Sequence, residues 1–488
     1  MLPVLLIVLP QAATLVTLAC RTRAALRSVT TASNLALLGL SLVTAHQVAA
    51  GAAPESWWPI LTVDPLGALI AVVISAVATA SSIRSDEILA HELREERGSE
   101  VYIRLRLRRY TWFFNLFVSS MMFVSFSSNL GLMWVGIEAT TLASVFLVGF
   151  IQSKPALEAA WKYLILCSVG IAFALIGTIV IYYADTIAVG KDAASLDWTE
   201  ILKHPKLNPF LVRLAFVFAL LGYGTKAGLA PLHSWLPDAH SEAPAPISAL
   251  LSGVLLKCAL LGILRFHMIS IRAQGYEFSG NLILILGVLS VALAGVFVLV
   301  QGNLKRLLAY SSLEHVGIVA IGVGVGGPIG LLGAMLHLFN HAMTKAFMFL
   351  VAGTVAMHYE TREIGRIRGV VRAMPFTGVY LCIGSLALVG APPFGIFASK
   401  FRVLWAGFQT GHWAASIALL AALAGVFAGV MGALGRMVSG TPEVPRARES
   451  WSAILVPAAL LVAAAAFGVA LPEPVEHFFE LIVDEIRG

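Results

Sequence analysis

Nine ionisable residues stand where the surrounding sequence is apolar: Glu138, Lys226, Lys257, Glu314, His315, His337, His341, Lys345 and Lys400. Ionisable groups inside apolar spans are expensive, and they mark proton or ion routes by default. Apolar surroundings disfavour a charged amine, whereas a nearby carboxylate favours it. A lysine held between those two influences gains or loses a proton when its partner moves. Glu138 and Lys226 read as such a pair. His337, His341 and Lys345 fall at i, i+4 and i+8, on one face of a helix. Neutral imidazoles pass protons at physiological pH. The alternative for His337 and His341 is plain helix-to-helix hydrogen bonding. HLFNH is not a zinc motif, because Leu338 occupies the position where H-E-x-x-H needs glutamate.

Other charged residues admit a plainer reading. Lys162, Arg265 and Arg402 lie near the ends of apolar runs, where long side chains snorkel to the interface. Lys162 also reads as a relay residue. His233, Asp238, His240 and Glu242 follow a helix break, and both a polar exit path and a hydrated loop suit them. Lys226, Lys257 and Lys400 are several turns from any mouth, so snorkelling does not account for them. Four cysteines (Cys20, Cys167, Cys258, Cys382) are scattered singly, without the spacing of zinc, iron–sulfur or disulfide sites.

The elements that must position these groups are membrane spans. Hydrophobic residues make up 58% of the chain and charged residues only 12%, against roughly 25% charged in ordinary soluble domains. The apolar residues come in blocks of about 20, the length that crosses a bilayer as helix. Fourteen such helices are expected: roughly 2–20, 31–51, 64–83, 111–129, 131–151, 160–184, 209–236, 246–270, 281–301, 307–326, 329–357, 375–408, 413–437 and 451–471. The first reads as a span rather than a cleaved signal, having no charged leader. The net charge of +6 does not indicate a nucleic-acid partner, because the basic residues sit in short loops between spans. They concentrate after helices 1, 3, 5, 9, 11 and 13, which by the positive-inside rule places both termini outside the cytoplasm. The charged stretch 84–109 reads as a cytoplasmic helical hairpin or surface helix.

Prolines break two of the helices. Pro231 interrupts the seventh, freeing the carbonyl of Ala227 beside Lys226, and Pro392-Pro393 interrupt the twelfth, freeing the carbonyls of Leu388 and Val389. Irregular backbone at membrane depth is tolerated where it is buried in protein or lines a wet cavity. The chain divides into an N-terminal three-helix unit with its basic segment (1–110), two five-helix units (111–270 and 281–437) and a C-terminal helix with tail (451–488). Helices 4–8 and 9–13 enter from opposite sides, the inverted-repeat plan of many transporters. In that plan Glu138 corresponds to Glu314, and each broken helix has a nearby lysine.

Four ordered stretches, GTKAGLAPLHSWLPDAHSEAPAPISALLSGVLLK, LLAYSSLEHVG, HLFNHAMTKAFMFLVAG and GAPPFGIFASKF, resemble the motifs of antiporter-like membrane subunits. These occur in respiratory complex I, multisubunit cation/proton antiporters and membrane-bound hydrogenases. The resemblance covers about residues 64–440, and its wording is most similar to the hydrogenase-4 component F group of formate hydrogenlyase-type complexes. It implies an all-α polytopic fold. It also implies a gating pair of Glu138 and Lys226, a central Lys257, a relay through His337, His341 and Lys345, and a terminal Lys400. Glu314 departs from most complex I homologues, which leaves its role open. The long lateral helix of the distal complex I subunit is absent from this sequence, so that identity is not expected.

No redox or hydrolytic motif is present, so this chain is expected to carry no cofactor. Iron–sulfur clusters and nickel–iron or flavin centres would belong to partner subunits of an oxidoreductase complex. The expected function is proton translocation, with Na⁺ as the alternative ion, in the inner (plasma) membrane. Two rival readings are a subunit of a multisubunit Na⁺/H⁺ antiporter and the membrane half of a two-component inorganic carbon transporter.

Overall fold

The computed structural model describes residues 1–54, 58–95, 99–204 and 207–488. Its helices are α1 (Leu2–Ala19), α2 (Arg23–Ala49), α3 (Pro65–Glu95), α4 (Glu100–Phe126), α5 (Leu130–Val148), α6 (Lys154–Val189), α7 (Trp198–Ile201), α8 (Pro209–Ala227), α9 (Trp235–Glu242), α10 (Ala245–Leu250), α11 (Leu256–Gln274), α12 (Glu277–Phe297), α13 (Leu304–Val325), α14 (Gly327–Tyr359), α15 (Val370–Ala373), α16 (Pro375–Val389), α17 (Gly395–Gln409), α18 (Trp413–Val438), α19 (Trp451–Val469) and α20 (Glu473–Arg487).

Among the described residues, eleven helical segments are long and apolar enough to cross a membrane, α10 and α11 counting as one. The other three expected spans correspond to α4, α14 and the broken α16–α17 pair. Several helices outrun the hydrophobic blocks. At 1.5 Å per residue, the 31 residues of α3 and 36 of α6 exceed the ~30 Å hydrocarbon core. The charged 84–109 stretch is accordingly the continuation of α3 and the start of α4, not a separate surface helix; its residues 96–98 lie outside the described residues. Arg84 and Arg106 within it are buried.

Both broken helices end on a left-handed glycine. Gly228 (φ 75°) caps α8 and Gly390 (φ 86°) caps α16, a conformation that glycine adopts without steric penalty. In each case the prolines follow the cap, so the chain cannot resume the same helix. The eighth expected span is also interrupted: residues Leu251–Leu255, between α10 and α11, form a π-helical turn. Such turns occur at functional sites more often than elsewhere, and the apolar pattern of 246–270 carries no sign of it.

The core lies where α3, α8, α10–α11, α13 and α14 meet; α10, α11, α13 and α14 are almost wholly buried. The C-terminal tail is not a loose extension. It forms the amphipathic α20, whose Phe478, Phe479, Ile482, Val483 and Ile486 pack inward against α2, α3, α11 and α14.

Candidate proton-transfer site

Three clusters of polar side chains occupy this core. In the first, Lys226 at the end of α8 is fully buried. Its Nζ donates to Thr141 Oγ1 (2.8 Å) and to the Tyr163 hydroxyl (2.6 Å), and it sits 4.6 Å from the centre of the Tyr163 ring. Glu138 does not touch it directly. Thr141 Oγ1 donates to Glu138 Oε2 (3.1 Å), and Ser168 Oγ donates to Glu138 Oε1 (2.7 Å). The expected gating pair is therefore bridged by one hydroxyl. Thr141 stands on the same face of α5 as Glu138, three residues on.

The second cluster is built on the π-turn. Lys257 Nζ donates to Ser252 O (2.5 Å) and to His341 Nδ1 (2.7 Å). The imidazole of His341 stacks on that of His315, with ring centres 4.6 Å apart. His315 Nδ1 lies 2.9 Å from His337 Nε2, and His337 Nδ1 lies 2.8 Å from Ser399 Oγ. His315, on α13, thus bridges the two histidines of α14. A sequence window cannot show this, because α13 and α14 meet only in space.

The third cluster is a direct ion pair. Lys400 Nζ donates to Glu314 Oε1 (2.7 Å) with both side chains buried. Lys400 also reaches Val389 O (3.3 Å), one of the two carbonyls expected to be freed by the prolines. Glu314 is consequently the closest carboxylate partner of any buried lysine here. Lys345 lies beside this pair on α14, where its Nζ donates to Leu308 O (2.7 Å) and to Ser311 Oγ. Among the described residues, no set of three His, Cys, Asp or Glu side chains converges as metal ligands.

The remaining candidates sit toward the basic face. His240 is fully buried and stacks on Phe349, ring centres 5.3 Å apart. Asp238 accepts from Arg306 (2.7 Å) and Lys162 (3.3 Å), and Lys162 also meets Glu158 (2.6 Å). Lys162 is about half exposed in this rim network, where ion pairs contribute little. His233 is half-buried. Lys305, one of the basic residues that follow the ninth expected span, is buried and donates to Ala243 O.

The snorkelling reading of Arg265 is overturned. This residue is 1% exposed, with ion pairs to Asp64 (2.5 Å) and Glu485 (2.7 Å) and its guanidinium 3.9 Å from the centre of the Trp198 ring. Both carboxylates come from segments far away in sequence. Arg402 is half-buried and donates to Ala398 O (3.3 Å).

Residues 127–428 match the family described as "NADH:quinone oxidoreductase/Mrp antiporter, TM". The chain belongs to that family. A hydrogenase-4 component F homolog of Methylacidiphilum infernorum is 37% identical over 377 residues, 77% of each chain. Hydrogenase-4 component B of Escherichia coli is 31% identical over 84% of this chain and 62% of its own length. In fold, the chain is similar to a subunit of the archaeal membrane-bound sulfane sulfur reductase (TM-score 0.86, 24% identity, covering 99% and 97% of the two chains). It is also similar to one of the Mrp complex from Dietzia (TM-score 0.83, 19% identity, covering 100% and 99%). The chain is thus a multi-pass membrane protein of the antiporter-like family, and its relatives are subunits of multisubunit membrane complexes. Thr141, Tyr163, Ser168 and Ser399 join its candidate site only through the structure.

Proposed function

We propose that this chain translocates protons as the antiporter-like subunit of an energy-converting redox complex of the hydrogenase-4, formate hydrogenlyase or complex I kind. The observation that carries the reading is the succession of three buried lysines, Lys226, Lys257 and Lys400. Each is tied to a proton-exchanging partner: a hydroxyl bridge to Glu138, an imidazole set, and Glu314. Redox centres and their iron–sulfur, nickel–iron or flavin groups belong to other subunits in this reading. The membrane is the inner (plasma) membrane, with both termini outside the cytoplasm, as the basic loops favour.

Moving one charge against the membrane potential costs about 2.3 kcal/mol per 100 mV, so a continuous wire would dissipate what a redox partner supplies. The clusters form no such wire through side chains. No direct hydrogen bond links Lys226 to Lys257, or Ser399 to Lys400, among the described residues. Buried atoms without a protein partner occur on the residues of these clusters and near them: His240 Nδ1 and Nε2, His341 Nε2, His315 Nε2, Glu314 Oε2 and both side-chain polar atoms of Asn340. Buried polar atoms of this kind are ordinarily satisfied by ordered water. Protons would pass between clusters only when water and side chains align. Lys226 and Lys400 would act as the two gates, Lys257, His315, His337 and His341 as the relay between them, and Lys345 as a charge that biases it. Asp238, His240 and His233 would form the cytoplasmic entrance, with Lys162 at its rim. The two five-helix units, with their parallel helix breaks, support an inverted-repeat arrangement around this path.

The test is proton uptake in vesicles carrying the purified native complex. Lys226→Ala is expected to abolish coupled proton movement while the complex assembles and its redox partner still turns over; normal pumping would overturn the reading. The chains that co-purify distinguish a redox complex from an Mrp-type Na⁺/H⁺ antiporter, which would bring only other membrane subunits.

A further inference from the structure

A cavity of about 480 Å³ opens between α4, α5 and α6 at the basic end of the bundle, and none of the side chains of the three clusters lines it. Its lining joins Arg106 and Arg109 to an apolar remainder that includes Phe113, Phe146 and Trp161. Arg106 is 8% exposed. Its guanidinium donates to the Tyr102 hydroxyl (2.8 Å), Gln152 Oε1 (3.1 Å) and Phe150 O, and lies against the rings of Tyr102 and Phe150. None of these partners is an anion. Arg109 is exposed and forms no ion pair among the described residues. Arg23, Arg84, Arg94, Lys162, Arg306 and Arg362 of this face each meet a carboxylate of this chain, whereas Arg106, like Lys305, is buried and donates to neutral acceptors.

A buried guanidinium without a counter-charge is a strong source of local positive potential, and it is stable only where an anion or a good set of acceptors meets it. The cavity has the polarity gradient of one class of molecule. From Arg106 to Phe113 along α4 is seven residues, about 10 Å, and over that distance the lining passes from guanidinium and amide to stacked phenyl rings (Phe113 and Phe146, 4.5 Å between centres). Trp161 is 62% exposed at the open side, the amphipathic residue expected at headgroup level. Basic pockets between spans on the cytoplasmic side bind anionic lipid headgroups.

We propose that this cavity binds an anionic phospholipid, its phosphate between Arg106 and Arg109 and one acyl chain over Phe113 and Phe146. The lipid supplies the counter-charge that the protein lacks and closes the gap between α4 and α6.

The experiment is lipid analysis of the purified native complex after a delipidating detergent wash, followed by reloading with phosphatidylglycerol or phosphatidylcholine vesicles. Wild type is expected to retain about one phosphatidylglycerol more per complex than the Arg106→Gln/Arg109→Gln variant, and to prefer it at least tenfold over phosphatidylcholine. Arg109→Gln alone, an exposed change that leaves the fold intact, is expected to lower retention severalfold. The corresponding lysine variant at Arg109 is expected to restore most of it. Equal phosphatidylglycerol in wild type and both variants would overturn the proposal. So would displacement of the lipid by millimolar inorganic phosphate, which would indicate an ion site, or a cross-link from Trp161→Cys to a helix of another subunit, which would make the groove a protein interface.

Discussion

Lysine is the least tolerable residue in an apolar core unless something nearby shares its proton. That condition is met in two different ways here. Lys400 is held by Glu314 directly, whereas Lys226 is held by neutral hydroxyls and reaches Glu138 through Thr141. Removing one partner of a buried pair costs about 3–5 kcal/mol, so Glu314→Gln should lower thermal stability and reduce proton transfer by tenfold or more. Adding Lys400→Met should recover the stability without recovering transfer; a double variant as unstable as the single one would deny the pairing. At Lys226, the other proposed gate, a hydrogen bond to a charged group is worth about 1.5–3 kcal/mol. Thr141→Val should therefore slow transfer about tenfold or more while Thr141→Ser, which keeps the hydroxyl, should run near the wild-type rate. Equal rates for the two variants would remove Thr141 from the path.

At the level of the element, three of the candidate lysines stand where helices fail to be regular. Lys226 lies two residues before the left-handed Gly228, and Lys400 reaches the last carbonyl of α16 next to Gly390. The π-turn preceding α11 presents the Ser252 carbonyl to Lys257. These interruptions expose main-chain acceptors that an ordinary helix would consume internally. Gly228→Ala should be damaging twice over: its φ of 75° suits glycine, and an added Cβ would stand 2.4 Å from Leu236 Cδ1. A cost of about 1–3 kcal/mol is expected from the strained backbone alone, read as a lowered melting midpoint together with impaired transfer. Gly190→Ala is the control, since it has a similar φ of 87° but open space around its Cβ. It should lose stability and retain transfer.

Across the whole molecule, the two membrane faces are held by different chemistry. The basic face is laced by ion pairs that are mostly exposed or half-buried, the buried Arg84 with Glu87 being the exception. The opposite face is closed by Asp64, Arg265 and Glu485, which tie the N-terminal end of α3, α11 and the terminal helix α20 together. Burial, and then the neighbouring Asp64 charge, raise the Glu485 carboxyl to about 7 despite Arg265. A carboxyl raised in the folded state favours folding when protonated. Its contribution is full below the unfolded value of about 4.3 and is lost as pH rises through about 7. Between pH 5 and pH 8 the wild-type melting midpoint should fall more steeply than that of Glu485→Gln, whose side chain does not titrate. Parallel pH profiles for the two proteins would show that Glu485 carries no such linkage.

The spans, the two proline breaks and the charges deep within the spans were legible in the sequence, because each is a local property; the π-turn and the buried Arg265 and Lys305 were not. An apolar run of about 20 residues, a proline within it, or a lysine many positions from its ends needs no neighbour to be recognised. The partners were not. Lys400 and Glu314 are 86 residues apart, Lys257 and His341 are 84 apart, and Arg265 and Glu485 are 220 apart. Arg265 illustrates the limit: its place near a helix end suggested a snorkelling tip, and only the fold brings two distant carboxylates over it. Thr141 and Ser399 were equally silent, since a hydroxyl in a membrane helix usually bonds its own backbone. Which charges meet, and through which hydroxyl, is decided by how the helices pack, because hydrogen bonds form within about 3 Å and nothing in the order of residues along one chain specifies that distance.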